Sequence, residues 1–208
     1  MKALRYTYLL IITIMCLSLL SCGAKNKVKP ELTVESYAEL QTVLKMPPVY
    51  VPGGNWTEAD IPGALWLGAK QVSFPATFKS LGAKFTINPE AATNTITSDG
   101  IVSAVLLYDG CWCGDIVLSD CASLAGYPDG KIREIVFKDH QNSDLPAPAI
   151  FPVSFNGVTI GTPAADFKEK TGLELSETGT EISTLRHLIR FNGSAASGVT
   201  SIYLASIS

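Results

Sequence analysis

The chain has 208 residues, with 16 basic against 19 acidic side chains and a formal charge of −3, so it lacks the basic excess that nucleic acid or an anionic membrane face selects. Lys2 and Arg5 fall in an N-terminal leader; without them 14 of the 16 basic residues remain and the charge becomes −5. With 17 Gly and 12 Pro among many Thr, Ser, Val and Ile, the composition favours strands and turns, and the length allows one large domain or two small ones with a core of their own.

The leader comes first. Lys2 and Arg5 precede an apolar run from Leu9 to Leu20, broken only by Thr13, Cys16 and Ser18 and succeeded at once by Lys25, Lys27 and Lys29. The run is shorter than the roughly 18 residues of a spanning helix, which marks an export signal. It ends in Leu19-Leu20-Ser21-Cys22, which resembles the lipobox of bacterial lipoproteins. That resemblance implies cleavage after residue 21, a diacylglycerol on the Cys22 thiol and an acylated new amino terminus. It places the protein in the bacterial cell envelope with the membrane as a partner through the anchor. Gly23 stands where an aspartate often retains such proteins at the inner membrane, so the expected destination is the outer membrane if the cell has one. Residues 22–31 then read as a polar tether.

Residues 32–69 combine one helix with an irregular stretch. Ser36 to Glu39 fits a capping box with Leu40, Val43 and Leu44 as the apolar stripe, and Pro47-Pro48 ends the helix. Pro52, Gly53-Gly54 and Pro62-Gly63 punctuate residues 49–67, with room for one short strand. Trp56 and Trp66 in this stretch either line a binding groove or pack over the sheet edge.

Past residue 70 the chain repeats a pattern. Val72-Ser73-Phe74 leads into 75–82, and Val153-Ser154-Phe155 leads into 162–172, where Thr162 suits an N-cap, Pro163 the first helical position and Gly172 a left-handed end. Turn dipeptides at Asp99-Gly100, Asp109-Gly110, Asp129-Gly130, Asn156-Gly157 and Asn192-Gly193 separate apolar runs at 101–108, 111–119, 131–138, 158–160, 185–191 and 199–205. The expectation is an α+β fold: an antiparallel β-meander sheet with short helices on one face, built as two tandem strand-helix-meander repeats at 70–140 and 151–208, with Pro146-Ala147-Pro148 in a linker at 141–150. This order is similar to tandem helix-plus-sheet repeat envelope lipoproteins and secreted inhibitors. That resemblance implies a sheet that binds a macromolecule, a protein or a glycan, or a structural role, rather than catalysis.

Five cysteines reduce to three in the folded part once Cys16 leaves with the leader and Cys22 is acylated. A two-residue turn at Asp109-Gly110 sets Tyr108 opposite Cys111, Leu106 opposite Cys113 and Ala104 opposite Asp115. Strict alternation then puts Val105, Leu107, Trp112, Ile116 and Leu118 on the core face, and both Cys111 and Cys113 with Tyr108 on the less apolar face. Cys121, eight residues beyond Cys113, would lie about 26 Å away along a strand, too far for a disulfide. Three readings stay open for Cys111 and Cys113: small buried residues or a structural bridge, a redox dithiol, or part of a metal site. His140 and His187 are the only histidines, His187 sharing a strand face with Leu185, Ile189 and Phe191. Without a nucleophile elbow, a zinc helix or a phosphate loop, catalysis has little support and no cofactor or metal is implied. Asp115 and Asp120 are read either as a carboxylate pair or as solvated turn residues.

Overall fold

Residues 31–139 and 145–207 are described by the structure, a computed structural model. The leader, Cys22, most of the tether and His140 lie outside the described residues. An eight-stranded antiparallel sheet dominates. Its strands are β3 (Phe85–Ile87), β4 (Thr95–Ile96), β5 (Val102–Tyr108), β6 (Cys111–Ser119), β7 (Lys131–Lys138), β9 (Thr180–Ser183), β10 (His187–Ser194) and β11 (Gly198–Ser206). They run in the order β3-β5-β6-β7-β11-β10-β9, with β4 paired to β5 beside β3. A smaller sheet sets β1 (Leu65–Leu67) between β2 (Lys70–Gln71) and β8 (Val153–Phe155). Among the described residues, three α-helices complete the fold: α1 (Val34–Leu44), the single turn α2 (Ile61–Ala64) and α3 (Ala164–Thr171).

The sheet-dominated α+β architecture arises from the alternation of apolar and polar residues. Cross-strand register aligns Ala104, Ile116, Ile135, Leu204, Ile189 and Ile182 in one row across six strands, all buried. The row Leu106, Gly114, Phe137, Ile202 and Phe191 lies on the same face. Against it pack Phe155 and Phe167, whose rings stand 5.7 and 5.0 Å from that of Phe191. A single buried cluster runs from Leu32 to Leu204, so segments on both sides of the 141–150 stretch share one core.

The duplicated strand-helix order is not reproduced. Residues 72–74 belong to no strand, whereas their counterpart β8 pairs with β1, and the helix expected in 75–82 is one 3₁₀ turn, Phe78–Leu81. The reason lies in pairing: Phe78 N–H donates to the Gly130 carbonyl and Ile132 N–H to the Ala76 carbonyl, and Thr77 bridges Lys131. The backbone at 76–78 is committed to extending β7 and cannot also wind a helix.

The second copy does form its helix. Gly172 ends α3 in the left-handed region at φ 74°, its N–H donating to the Lys168 carbonyl. A side chain there would strike the Gly54 backbone nitrogen, 2.7 Å from the Cβ position, so the Pro52–Gly54 turn seats directly on the helix end. Helix α1 begins one turn earlier than expected, because Thr33 is the cap and accepts from Ser36 N–H. Buried Ser36 instead donates to the Asp109 carboxylate, fixing α1 to the β5–β6 turn.

Four of the five turn dipeptides fall in turns: Gly100 N–H donates to the Thr97 carbonyl in the β4–β5 loop and Gly130 N–H to the Tyr127 carbonyl ahead of β7. Asp109-Gly110 (47° and 78°) and Asn156-Gly157 (53° and 79°) are the tight turns expected. Asn192-Gly193 is not a turn: β10 continues through it to Ser194, and the reversal falls at residues 195–197.

Candidate binding face

The thiol segment is a β-bulge. Tyr108 pairs with Cys111 and Leu107 with Trp112, but Leu106 pairs with Gly114, leaving Cys113 as the inserted residue. That extra residue resets the alternation, so Cys111 and Cys113 point into the core together with Ile116 and Leu118, and Trp112 points outward. The face assignment from strict alternation is therefore corrected: the core side of β5 carries Val102, Ala104, Leu106 and Tyr108. Cys113 is completely buried and its thiol donates to the Leu106 carbonyl at 3.5 Å.

No disulfide links Cys111, Cys113 and Cys121 among the described residues. Burial raises all three thiol pKa values, with Asp109 adding to the effect at Cys111 and Asp120 at Cys121; Cys113 is raised furthest. A nucleophilic thiol needs the opposite environment, exposed and electropositive. The native protein should leave these three thiols unmodified by a thiol-specific chromogenic reagent, and expose all three on unfolding. Rapid native modification of Cys111 or Cys113 would restore the redox reading.

The two tryptophans do not share a groove. Trp56 is in the core, its indole N–H donating to the Thr171 carbonyl at 2.9 Å and its ring 4.6 Å from Phe155. It clamps the Pro52–Gly54 turn to α3 and offers no exposed ring. Trp66, on β1, is half-buried and donates to the Gly63 carbonyl at 3.3 Å, beside Val43, Met46 and Pro47. Asp115 and Asp120 are not a carboxylate pair, each being held by a lysine: Lys138 at 2.7 Å and Lys131 at 2.8 Å.

His187 is buried and hydrogen-bonded. Its Nε2 accepts from Phe74 N–H at 2.9 Å, while Nδ1 lies 3.1 and 3.2 Å from the Glu58 carboxylate oxygens, which calls for the tautomer protonated on Nδ1. With both ring nitrogens committed, the imidazole is a structural pin. Leu185 does not share its face, being 76% exposed before the strand begins.

The side of the large sheet away from the core is the surface that sequence reasoning did not single out. Register aligns Asp115, Val136, Tyr203, Arg190 and Glu181 across five strands, with Val117, Glu134 and Leu188 in the neighbouring row. Arg190 pairs with Glu181 at 2.5 Å, and its guanidinium stands 5.7 Å from the centre of the Tyr203 ring. Burial, then the Glu134 carboxylate, raises the Tyr203 phenol. Half-exposed Val117, Val136, Leu188 and Tyr203 thus alternate with charges that neutralise one another. The alternation of Leu188 and Arg190 with buried His187, Ile189 and Phe191 carried the signal for this face.

These features define a sheet-dominated α+β protein with one sheet face sealed by the core and the other partly exposed across β6, β7, β11 and β10, while Val105 and Leu107 of β5 stay buried on it. No family model, curated protein or solved structure matches the chain. Among the described residues no helix is long and apolar enough to cross a membrane, and no three metal-ligating side chains cluster.

Proposed function

We propose that the protein is a lipid-anchored, non-enzymatic binding module of the bacterial cell envelope, held at the membrane through Cys22 and meeting a protein or glycan partner with the open face of its sheet. The carrying observation is that face: aliphatic and aromatic side chains lie side by side across β6, β7, β11 and β10, between ion pairs that can exchange partners. Exposed pairs of this kind are worth about 0 to 1 kcal/mol, so opening them costs little when a partner supplies new hydrogen bonds. Arginine beside tyrosine is also the composition that interface centres favour.

Two measurements test the proposal. Cys22→Ser should abolish metabolic incorporation of labelled palmitate and move the protein from the membrane to the soluble fraction. A photocrosslinking residue at Leu188 should give a discrete adduct in cells that Arg190→Glu removes, whereas the same residue at exposed Tyr50 should not. Equal crosslinking from both positions would rule out the sheet face as the contact surface.

A further inference from the structure

A cavity of about 370 Å³ opens on the core side of the large sheet, the side that carries Tyr108, away from the open sheet face. Its walls are Gly68, Ala69 and Lys70 of the β1–β2 turn, Leu81 to Lys84 after the 3₁₀ turn, Glu39 of α1, and Tyr108 at the end of β5. Volumes of this order are those of small-molecule sites, about 300 to 1,000 Å³.

Two glycines in the left-handed region shape it. Gly68 (φ 58°) leaves space for the Tyr108 ring: a Cβ there would come within 3.1 Å of the ring and 3.5 Å of the hydroxyl oxygen. Gly82 (φ 100°) does the same for Lys70, whose ammonium would stand 3.0 Å from a Cβ.

The polar groups in this cavity are incompletely used. Tyr108 is 1% exposed, and its hydroxyl is the one buried side-chain polar atom among the described residues with no hydrogen-bond partner. Leaving such a group unpaired is costly, and native proteins avoid it. Burial, reinforced by the Asp109 and Glu39 carboxylates, pushes its pKa up to about 12, so at neutral pH it is a donor. Lys70 makes no ion pair among the described residues. Lys84, by contrast, is occupied by Glu39 at 2.5 Å and Ser36 at 3.1 Å.

We propose that this cavity binds a small organic anion, a carboxylate on a short apolar body, with one carboxylate oxygen accepting from the Tyr108 hydroxyl, the other facing the Lys70 ammonium, and the hydrocarbon against Leu81, Ala69 and Ala83. The chemistry selects this class. Two donors match the two oxygens of a carboxylate, whereas a phosphate would bring acceptors that the apolar wall cannot satisfy. A neutral alcohol would leave the ammonium without a counterion. The site does not depend on the open sheet face, and either proposal can fail without the other.

Calorimetric titration of hexanoate into the full-length chain, against a matched blank, tests the site. Saturable binding is expected, with hexan-1-ol and inorganic phosphate each at least about tenfold weaker, the value of one charge-assisted hydrogen bond. Tyr108→Phe keeps the edge-on ring packing on Phe85, 4.9 Å away, and removes only an unpaired hydroxyl. It should leave the melting temperature of the ligand-free protein unchanged or higher while weakening hexanoate about tenfold. Lys70→Met should weaken it by a similar factor. No saturable hexanoate binding, hexan-1-ol binding as tightly, or Tyr108→Phe binding hexanoate like the wild type would each overturn the proposal.

Discussion

Gly114→Ala is expected to destabilise the protein by about 3 kcal/mol or more, at the upper end of what overpacking costs, because the obstacle is backbone rather than a movable side chain. A Cβ at residue 114 would lie 1.9 Å from the Val136 carbonyl oxygen and 2.9 Å from its carbon. Relief requires β6 and β7 to separate in the middle of the eight-stranded sheet, where Gly114 pairs with Phe137. The same separation would loosen the bulge that turns Cys113 inward. Gly126→Ala is the control: its nearest neighbour would be the Ser123 hydroxyl at 3.5 Å, an ordinary contact, and its φ is not positive. Urea unfolding monitored by circular dichroism should therefore show the midpoint falling sharply for Gly114→Ala, or the variant failing to fold, and barely moving for Gly126→Ala. A Gly114→Ala midpoint close to the wild type would mean that the strands are not so closely apposed.

Gly114 also shows where sequence reasoning reaches its limit. The strand spans 111–119 and 131–138 come directly from β-branched runs between turn dipeptides, and the Asp109-Gly110 turn fixes Tyr108 opposite Cys111. One inserted residue then shifts everything beyond it. Alternation alone put Cys111 and Ile116 on opposite faces, and only the Leu106–Gly114 pairing brings both inside. The signal was present as Cys113-Gly114, since a glycine within a strand often marks a bulge or a close approach. Similar logic separates the two helices: α3 has its own stop at Gly172, while 75–82, expected to be helical, yields to long-range pairing with 130–132. The candidate sites were less legible. Trp56 is drawn into the core by a carbonyl 115 residues away, and the cavity beside Tyr108 is assembled from α1, a β-turn, a 3₁₀ turn and a strand end that no local pattern connects.

His187→Leu should cost about 2 to 4 kcal/mol, since it leaves the buried Phe74 N–H without an acceptor and removes a donor from Glu58. The imidazole ties three distant segments: Phe74 after β2, the start of β10, and Glu58, which also accepts from the Thr184 hydroxyl at 2.7 Å and Arg186 N–H at 3.1 Å. His187→Gln, whose amide oxygen can accept from Phe74 N–H, should lose less than His187→Leu if the hydrogen bond rather than packing volume is what matters. The carboxylate end adds a pH dependence with a definite sign. The Thr184 hydroxyl foremost, helped by Arg186 N–H and His187, holds Glu58 below its ordinary pKa of 4.5. A carboxyl with a lower pKa in the folded state binds its proton less readily there than in the unfolded chain, so its contribution is complete above about pH 4.5 and fades as the pH falls through the folded-state value. Glu58→Gln keeps acceptors for Thr184 and Arg186 but cannot titrate. Its denaturation midpoint should lie below that of the wild type at neutral pH, with the gap narrowing steadily as the solution is acidified below pH 4.5. A gap that stayed constant or widened in acid would show that Glu58 acts through shape alone, and that the pin is held by the Phe74 to His187 hydrogen bond without help from charge.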